Sequence, residues 1–326
     1  MDPNQILDRV NSLTHPTENY IYRLFVHLLE PYKIFYGIDC DGHLIFVIPS
    51  LNPMIPHQIQ HTRKLVLNSN LRCQAILSDA PSTMTVHSLT CLSTLYDEKI
   101  AFIRLTEAFS KHIFDNKQSI ISELFSALVN LFAQEDKSSE KELQGLYAEL
   151  YLIYYFFKKG INLSPYWQIK DKMKFDFSMS AYKRIEVKST IRNERIHHFR
   201  HEQLLSDLYN ITIASLLLRK DDAGLSLFSL IKLVQSIAAN NFNLLLYVDR
   251  FIKNVPNDEL CELRYDEIYT TRNLRFYPAS IIPKFSEWQP DGVTHAEYDS
   301  DLTTIRSYSE TDMMNWLKDV EEDFNV

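Results

Sequence analysis

Two carboxylates and an ammonium stand at a spacing that could bind a cation and act on a phosphodiester: Asp176, then nine residues, then Glu186-Val187-Lys188. Alternation along a strand over 184–189 puts Glu186 and Lys188 on one face and Ile185 and Val187 on the other. Asp176 falls in a second β-rich run, 174–179, joined to the first through Ser180-Ala181-Tyr182-Lys183. A strict four-residue connection sets Asp176 across from Val187, whereas a one-residue shift or a bulge sets it across from Glu186. Only the second register lets both carboxylates reach one ion. With the Val187 carbonyl as a third oxygen the set suits Mg²⁺, with Mn²⁺ as a substitute. Such an ion lowers the pKa of a bound water and stabilises charge on a phosphate, and a lysine two residues on can orient the attacking water.

A third acid comes from the preceding helix. The pattern predicts that helix over Glu140–Lys159, with Leu143, Leu146, Leu150, Ile153 and Phe157 on one face and Gly160 as its C-cap. Glu149 sits beside the apolar face, where an unpaired charge costs several kcal/mol, so it calls for a cation or a strong partner. A strand over Tyr166–Ile169, a short helix over Glu202–Leu208, a strand over Ile211–Leu218 and a helix over Ser226–Ala239 complete the block. The order is α-β-β-β-α-β-α, a mixed sheet flanked by helices.

Upstream, the spacing predicts two helices in the first 30 residues, one carrying Ile6, Val10 and Leu13, the other Ile21, Leu24, Phe25 and Leu28. Ile34–Ile38 and Leu44–Ile48 around Asp41-Gly42 read as a hairpin, and Arg72–Leu77, Met84–Leu89 and Lys99–Leu105 as strands. A helix over Ser119–Phe132 ends in the polar segment Gln134–Ser139. The domains expected are therefore 1–133, α+β and concerned with target or partner recognition; 134–250, the core; and 251–326, an extension with an acidic tail.

Composition narrows the function classes. The 326 residues carry 45% hydrophobic side chains, enough for a sizeable core, and the 6 Gly form neither GxGxxG nor GxxxxGK[ST]. Cys40, Cys73, Cys91 and Cys261 offer no zinc-finger spacing and point to a reduced, cytoplasmic setting. The N-terminus has no secretory pattern, and the longest near-apolar runs, about eight residues, fall short of the roughly 20 that span a bilayer. The net charge of −8 is uneven: residues 287–326 hold 11 acids against Arg306 and Lys318, which leaves +1 for the rest. Residues 170–202 carry nine Lys or Arg against five acids.

Asp176, Glu186-Val187-Lys188 and the helix segment Gly145-Leu146-Tyr147-Ala148-Glu149-Leu150 resemble the PD-(D/E)XK nuclease superfamily over roughly residues 140–240. The whole chain is similar to a bacterial family grouped with that superfamily and tied to restriction-modification-like defence loci. Phe175 stands where the superfamily's name has proline. The resemblance implies a restriction-endonuclease-like core behind an N-terminal α+β domain, and a Mg²⁺-dependent endodeoxyribonuclease serving antiviral defence. It implies Asp176 and Glu186 as metal ligands, Lys188 as the catalytic lysine, Glu149 as the helix acid, and Gln203 as a glutamine supporting the site. It also implies DNA as the substrate, with an ATPase and a methyltransferase as partners. One site per chain suits nicking, or dimerisation for double-strand cuts.

Arg192, Arg195, Arg200 and His198 are the candidates for contact with the nucleic-acid backbone. His197, His198 and His201 read as solvated or phosphate-contacting rather than as a zinc site, because no fourth ligand has suitable spacing. The acidic tail reads as a solvated end, with a lesser reading in which it covers the basic patch. A second reading of the whole is a catalytically silent nuclease fold that binds DNA or bridges other proteins, and a third is a purely structural chain.

Overall fold

The computed structural model describes residues 2–18, 21–28, 33–50, 56–77, 81–115, 121–133, 138–167, 175–205, 207–286 and 295–322. Its elements are α1 Pro3–Asn11, β1 Ile21–Leu28, β2 Ile34–Ile38, β3 Leu44–Pro49, β4 Gln58–His61, β5 Leu65–Ile76, β6 Pro81–Cys91, α2 Tyr96–Asp115 and α3 Ile121–Ala133. These are followed by α4 Glu140–Phe157, β7 Phe177–Ser178, β8 Lys183–Thr190, β9 Ile196–Arg200, α5 His201–Leu204, β10 Asn210–Leu217, β11 Lys220–Ser226 and α6 Leu227–Ile237. The chain ends with α7 Phe242–Ile252, α8 Asn257–Glu262, β12 Arg264–Tyr265, α9 Glu267–Asn273, β13 Arg275–Pro278, β14 Glu297–Asp301 and α10 Glu310–Glu322. The architecture is mixed α+β. No described helix is long and apolar enough to cross a membrane.

The chain divides into two compact units, Met1–Glu135 with Ala239–Lys253, and Asp136–Ala238 with Asn254–Val326. In place of the one expected boundary between 250 and 251, the later residues divide at 238/239 and 253/254. Helix α7 belongs with the N-terminal residues because Leu244, Leu245 and Val248 are buried, its axis packs on α2 and α3, and buried Asp249 pairs with Arg104 of α2. Residues after 253 are no appendage: β13 pairs with β10 and β12 with β11. Part of the tail is packed, while the side chains of Glu321, Glu322 and Asp323 lie outside the described residues. Met313, Trp316 and Leu317 of α10 are buried, and the Trp316 carbonyl accepts from Lys183 Nζ at 3.0 Å.

In the first unit β1 pairs with β2 on one side and β5 on the other, so β1-β2-β3-β6-β5 close into a ring, with β4 added beyond β5. The closure runs through Ile21–Arg23 of β1, which pair parallel with Gln74–Ile76 of β5. Alternate residues fill the interior, among them Tyr22, Leu24, Phe35, Ile45, Val47, Leu71 and Val86. Gly37 lies where β1 and β2 approach closely, since a Cβ there would sit 1.9 Å from the Arg23 carbonyl oxygen. The second helix expected near the N-terminus is therefore strand β1: eight residues with apolar side chains at 21, 24, 25 and 28 fit either period, and the two neighbouring strands decide. Conversely, Lys99–Leu105 is part of helix α2, whose first turn carries Asp97 and Glu98 at the positive end of the helix dipole.

The second unit is built on the sheet β13-β10-β8-β7. β8 runs parallel to β10, and β7 and β13 pair antiparallel at its edges. Helix α4 packs on β8 and against α6. Its start is fixed by a capping box, in which the Ser139 side chain accepts from Glu142 N and the Glu142 carboxylate accepts from Ser139 N. Its end is Gly160 at φ +84. Phe156 is buried there and Phe157 is 47% exposed, the reverse of the expected face at that turn. Where a strand was expected over Tyr166–Ile169, Ser164–Tyr166 is a 3₁₀ turn and Trp167 makes one antiparallel bridge to Phe177. Gln168, Ile169 and Lys174 lie outside the described residues, as do Ser119, Ile120, the start of the expected linker at Gln134–Lys137, and Asp323.

Candidate active site

The register of β7 on β8 settles the geometry that the carboxylates depend on. Phe177 faces Ile185 and Ser178 faces Arg184, and the Met179 amide donates to the Lys183 carbonyl. The turn is thus three residues, Ser180 to Tyr182, one fewer than a strict four-residue connection. Continued by one position, this register sets Asp176 across from Glu186, the arrangement in which both acids can converge. Asp176 Oδ2 accepts from the Val187 amide at 2.7 Å, which ties it to the far strand.

Glu186 is at the base of the site, 4% exposed, whereas Asp176 and Glu149 are half-buried. Its Oε1 receives Lys188 Nζ at 2.7 Å and Gln203 Nε2 at 2.6 Å. Gln203, from the short helix α5 in the crossover between β8 and β10, also accepts through Oε1 from Lys188 Nζ at 3.2 Å and from the Arg200 amide at 3.0 Å. One glutamine therefore holds both charged partners. Lys188 also lies 5.2 Å from the centre of the Phe199 ring. Glu186 Oε2 is buried and has no hydrogen-bond partner among the described residues.

Glu149 enters from α4 and accepts from Trp167 Nε1 at 2.7 Å. Burial, with a smaller contribution from the Glu186 charge, pushes its carboxyl up to about 8, against the indole hydrogen bond and Lys188, which favour the ionised form. Burial and then the charges of Glu186 and Glu149 hold Asp176 well above the usual carboxylate range, against the Val187 amide and Lys188. Glu186 is raised by burial, with Lys188, Arg200 and Gln203 opposing. All three acids have raised pKa values, Asp176 and Glu149 in part through the charges of the others, and with a buried oxygen unpartnered among the described residues they are oxygen donors of the kind a divalent cation takes. The fit is loose: among the described residues the set of three His, Cys, Asp or Glu side chains with ligand atoms all within 4.8 Å of one another is Asp39, Asp41 and His43 on the β2–β3 turn.

The structure brings together Glu149, Asp176, Glu186, Val187, Lys188 and Gln203. It does not bring the basic residues into one free surface. Arg195 is a correction. Its guanidinium is buried, donating to the Ser215 carbonyl at 3.0 Å, to Ser215 Oγ at 2.9 Å and to the Asn273 carbonyl, so it ties β10 to α9 and faces no solvent. His197 is likewise buried on Ser215 Oγ at 2.7 Å, and burial lowers its pKa to about 3. His201 is buried on the Tyr298 hydroxyl. His198 and Arg200 are exposed but paired: His198 contacts Asp299 at 3.0 Å and Glu297 at 3.1 Å, and Arg200 contacts Glu297 at 3.3 Å. Part of the acidic segment, β14, thus lies antiparallel on the basic strand β9. Arg192 is exposed in the β8–β9 turn.

Sequence reasoning missed Trp167. A lone tryptophan after a helix carries no motif, and only the fold shows that its indole faces Glu149. Phe175 is buried against Tyr209, with rings 5.8 Å apart, and so packs the chain immediately before Asp176.

A carboxylate one residue before β7, a second on the antiparallel strand β8 with a lysine two residues beyond it, and a helix acid alongside follow the residue order of the PD-(D/E)XK motif. The family model described as "Putative PD-(D/E)XK family member, (DUF4420)" matches residues 11–303, and the chain belongs to that family. No curated protein and no solved structure matches it.

Proposed function

We propose that this protein is a metal-dependent nuclease that hydrolyses DNA phosphodiester bonds, with residues 136–238 and 254–326 as its restriction-endonuclease-like core. The observation that carries the reading is Glu186: one oxygen is locked by Lys188 and Gln203, and the other is buried, unpartnered among the described residues and next to two further acids. Asp176 and Glu186 would hold Mg²⁺ or Mn²⁺, with the Val187 carbonyl as a third ligand and Glu149 reaching it directly or through water. The ion, when bound, supplies an activated water and neutralises charge on the phosphate. Lys188 has its ammonium at the carboxylate cluster, where it can orient a nucleophile and offset developing negative charge. Gln203 hydrogen-bonds both Lys188 and Glu186 and so holds them in a fixed relation to each other.

Arg192, exposed in the β8–β9 turn, would contact the nucleic-acid backbone. A role in a restriction or antiphage system, with an ATPase and a methyltransferase as partners, is supported by the family's association alone. The test is nicking of supercoiled plasmid with and without Mg²⁺ or Mn²⁺, in the native chain and in Asp176→Ala. Cation-dependent nicking lost in the variant supports the reading, and equal nicking in both overturns it.

A further inference from the structure

Trp167 occupies a position between two parts of the proposed site. Its backbone bridges Phe177, the neighbour of Asp176, while its indole N–H donates to Glu149 Oε2 at 2.7 Å. It is 3% exposed, and Phe177 is fully buried, so the ring has little freedom to swing away. An indole offers one donor and no acceptor, so at this position it can serve only an oxygen. Glu149 comes from a helix and Asp176 lies one residue before β7, and Trp167 contacts both segments: it grips one by a side-chain hydrogen bond and is paired to the other through the backbone.

The geometry points to Trp167 as the positioning residue of the cation site: by holding Oε2 of Glu149 it keeps the other oxygen turned to the Asp176–Glu186 pair and so sets the affinity for a divalent ion. This rests on the metal-site reading given above. The physical reason is orientation. A glutamate side chain has three rotatable bonds, and a ligand held by an outer hydrogen bond binds an ion without first losing that freedom. Outer partners of this kind are worth about 10–100-fold in metal affinity.

The experiment measures Mn²⁺ binding to the full-length protein from the electron paramagnetic resonance signal of the free ion. Four proteins are compared: native, Asp176→Ala, Trp167→Phe, and Trp167→3-benzothienylalanine, which keeps the outline of the indole and replaces only its N–H with sulfur. Circular dichroism reports whether each is folded. The difference between native and Asp176→Ala isolates this site from any ion held at Asp39, Asp41 and His43. The expected result is that binding at this site is lost in Asp176→Ala and weakened about 10–100-fold in the folded Trp167 variants. If Trp167→Phe fails to fold, the isosteric variant decides. Native affinity in the folded isosteric variant overturns the role of Trp167 and leaves the metal site standing. If native and Asp176→Ala bind Mn²⁺ alike, or neither binds, the metal-site reading falls and this inference falls with it.

Discussion

Lys188 Nζ lies 2.7 Å from Glu186 Oε1, two residues back on the same strand, with Gln203 Nε2 on that same oxygen at 2.6 Å. The carboxylate is buried and the lysine side chain only 20% exposed, so removing the ammonium leaves a poorly solvated charge. Lys188→Ala should lower plasmid nicking by about 10²–10⁴-fold, the range for loss of a positioned catalytic group. It should leave circular dichroism native-like while lowering the melting temperature of the metal-free protein. Full nicking by a folded Lys188→Ala protein would exclude a role for the lysine in the chemistry.

Gln203→Leu separates orientation from charge. It keeps Lys188 and Glu186 but removes the hydrogen bonds that Gln203 makes to both and to the Arg200 amide. The expected loss in nicking is about 10–100-fold, smaller than for Lys188→Ala, with Mn²⁺ affinity reduced in parallel. Unchanged kinetics and affinity would make Gln203 a packing residue.

Glu149 gives a pH prediction with a definite sign. Burial raises its folded pKa from 4.5 to about 8, so between those values the folded protein holds a proton that the unfolded chain has released. Stability conferred by that proton is present below about 4.5 and is lost as pH rises through 8. Glu149→Gln should therefore flatten the fall in stability over this window and, in metal-free protein above pH 8, raise stability by about 1 kcal/mol or more, roughly 2–4 °C in melting temperature. Thermal melts from pH 5 to 9 check it. A variant with the same pH slope as the native protein, or a lower melting temperature at pH 9, contradicts the assignment.

Arg195 and Arg192 should part company. Arg195→Ala removes three buried hydrogen bonds from a charged donor, each worth about 1.5–3 kcal/mol, and should unfold or strongly destabilise the unit that carries the site. Arg192→Ala should change the melting temperature by less than 1 °C and weaken DNA binding with a shallower dependence on salt. Differential scanning calorimetry and binding at two salt concentrations distinguish the two residues.

Much of the site was legible before the fold. Helix α4 was readable because five apolar positions repeat at helical spacing and Gly160 follows them. The pairing of Glu186 with Lys188 was readable because strand alternation leaves no other choice. The register was narrowed to two options that a turn length separates, and the turn proved one residue shorter than the strict count. What could not be read depends on contacts distant in sequence. Ile21–Leu28 has a spacing shared by short helices and strands, and only β2 and β5 make it a strand. Arg195 looks like its neighbours Arg192 and Arg200 until Ser215 and Asn273 are brought around it. Helix α7 lies within the expected core by position, yet its apolar face and Asp249 complete the other unit. Trp167 carries no spacing signal at all, because its partner is 18 residues away across a turn.

The central claim is that Asp176, Glu186 and Lys188 act together on a phosphodiester with a divalent ion. The most direct measurement is the nicking rate of supercoiled plasmid with Mg²⁺, with Mn²⁺ and with chelator, for the native protein, Asp176→Ala and Lys188→Ala purified side by side. Nicking by the native protein should need the ion and fall at least 100-fold in each variant. Ion-independent nicking, or nicking at the native rate in both folded variants, would contradict it.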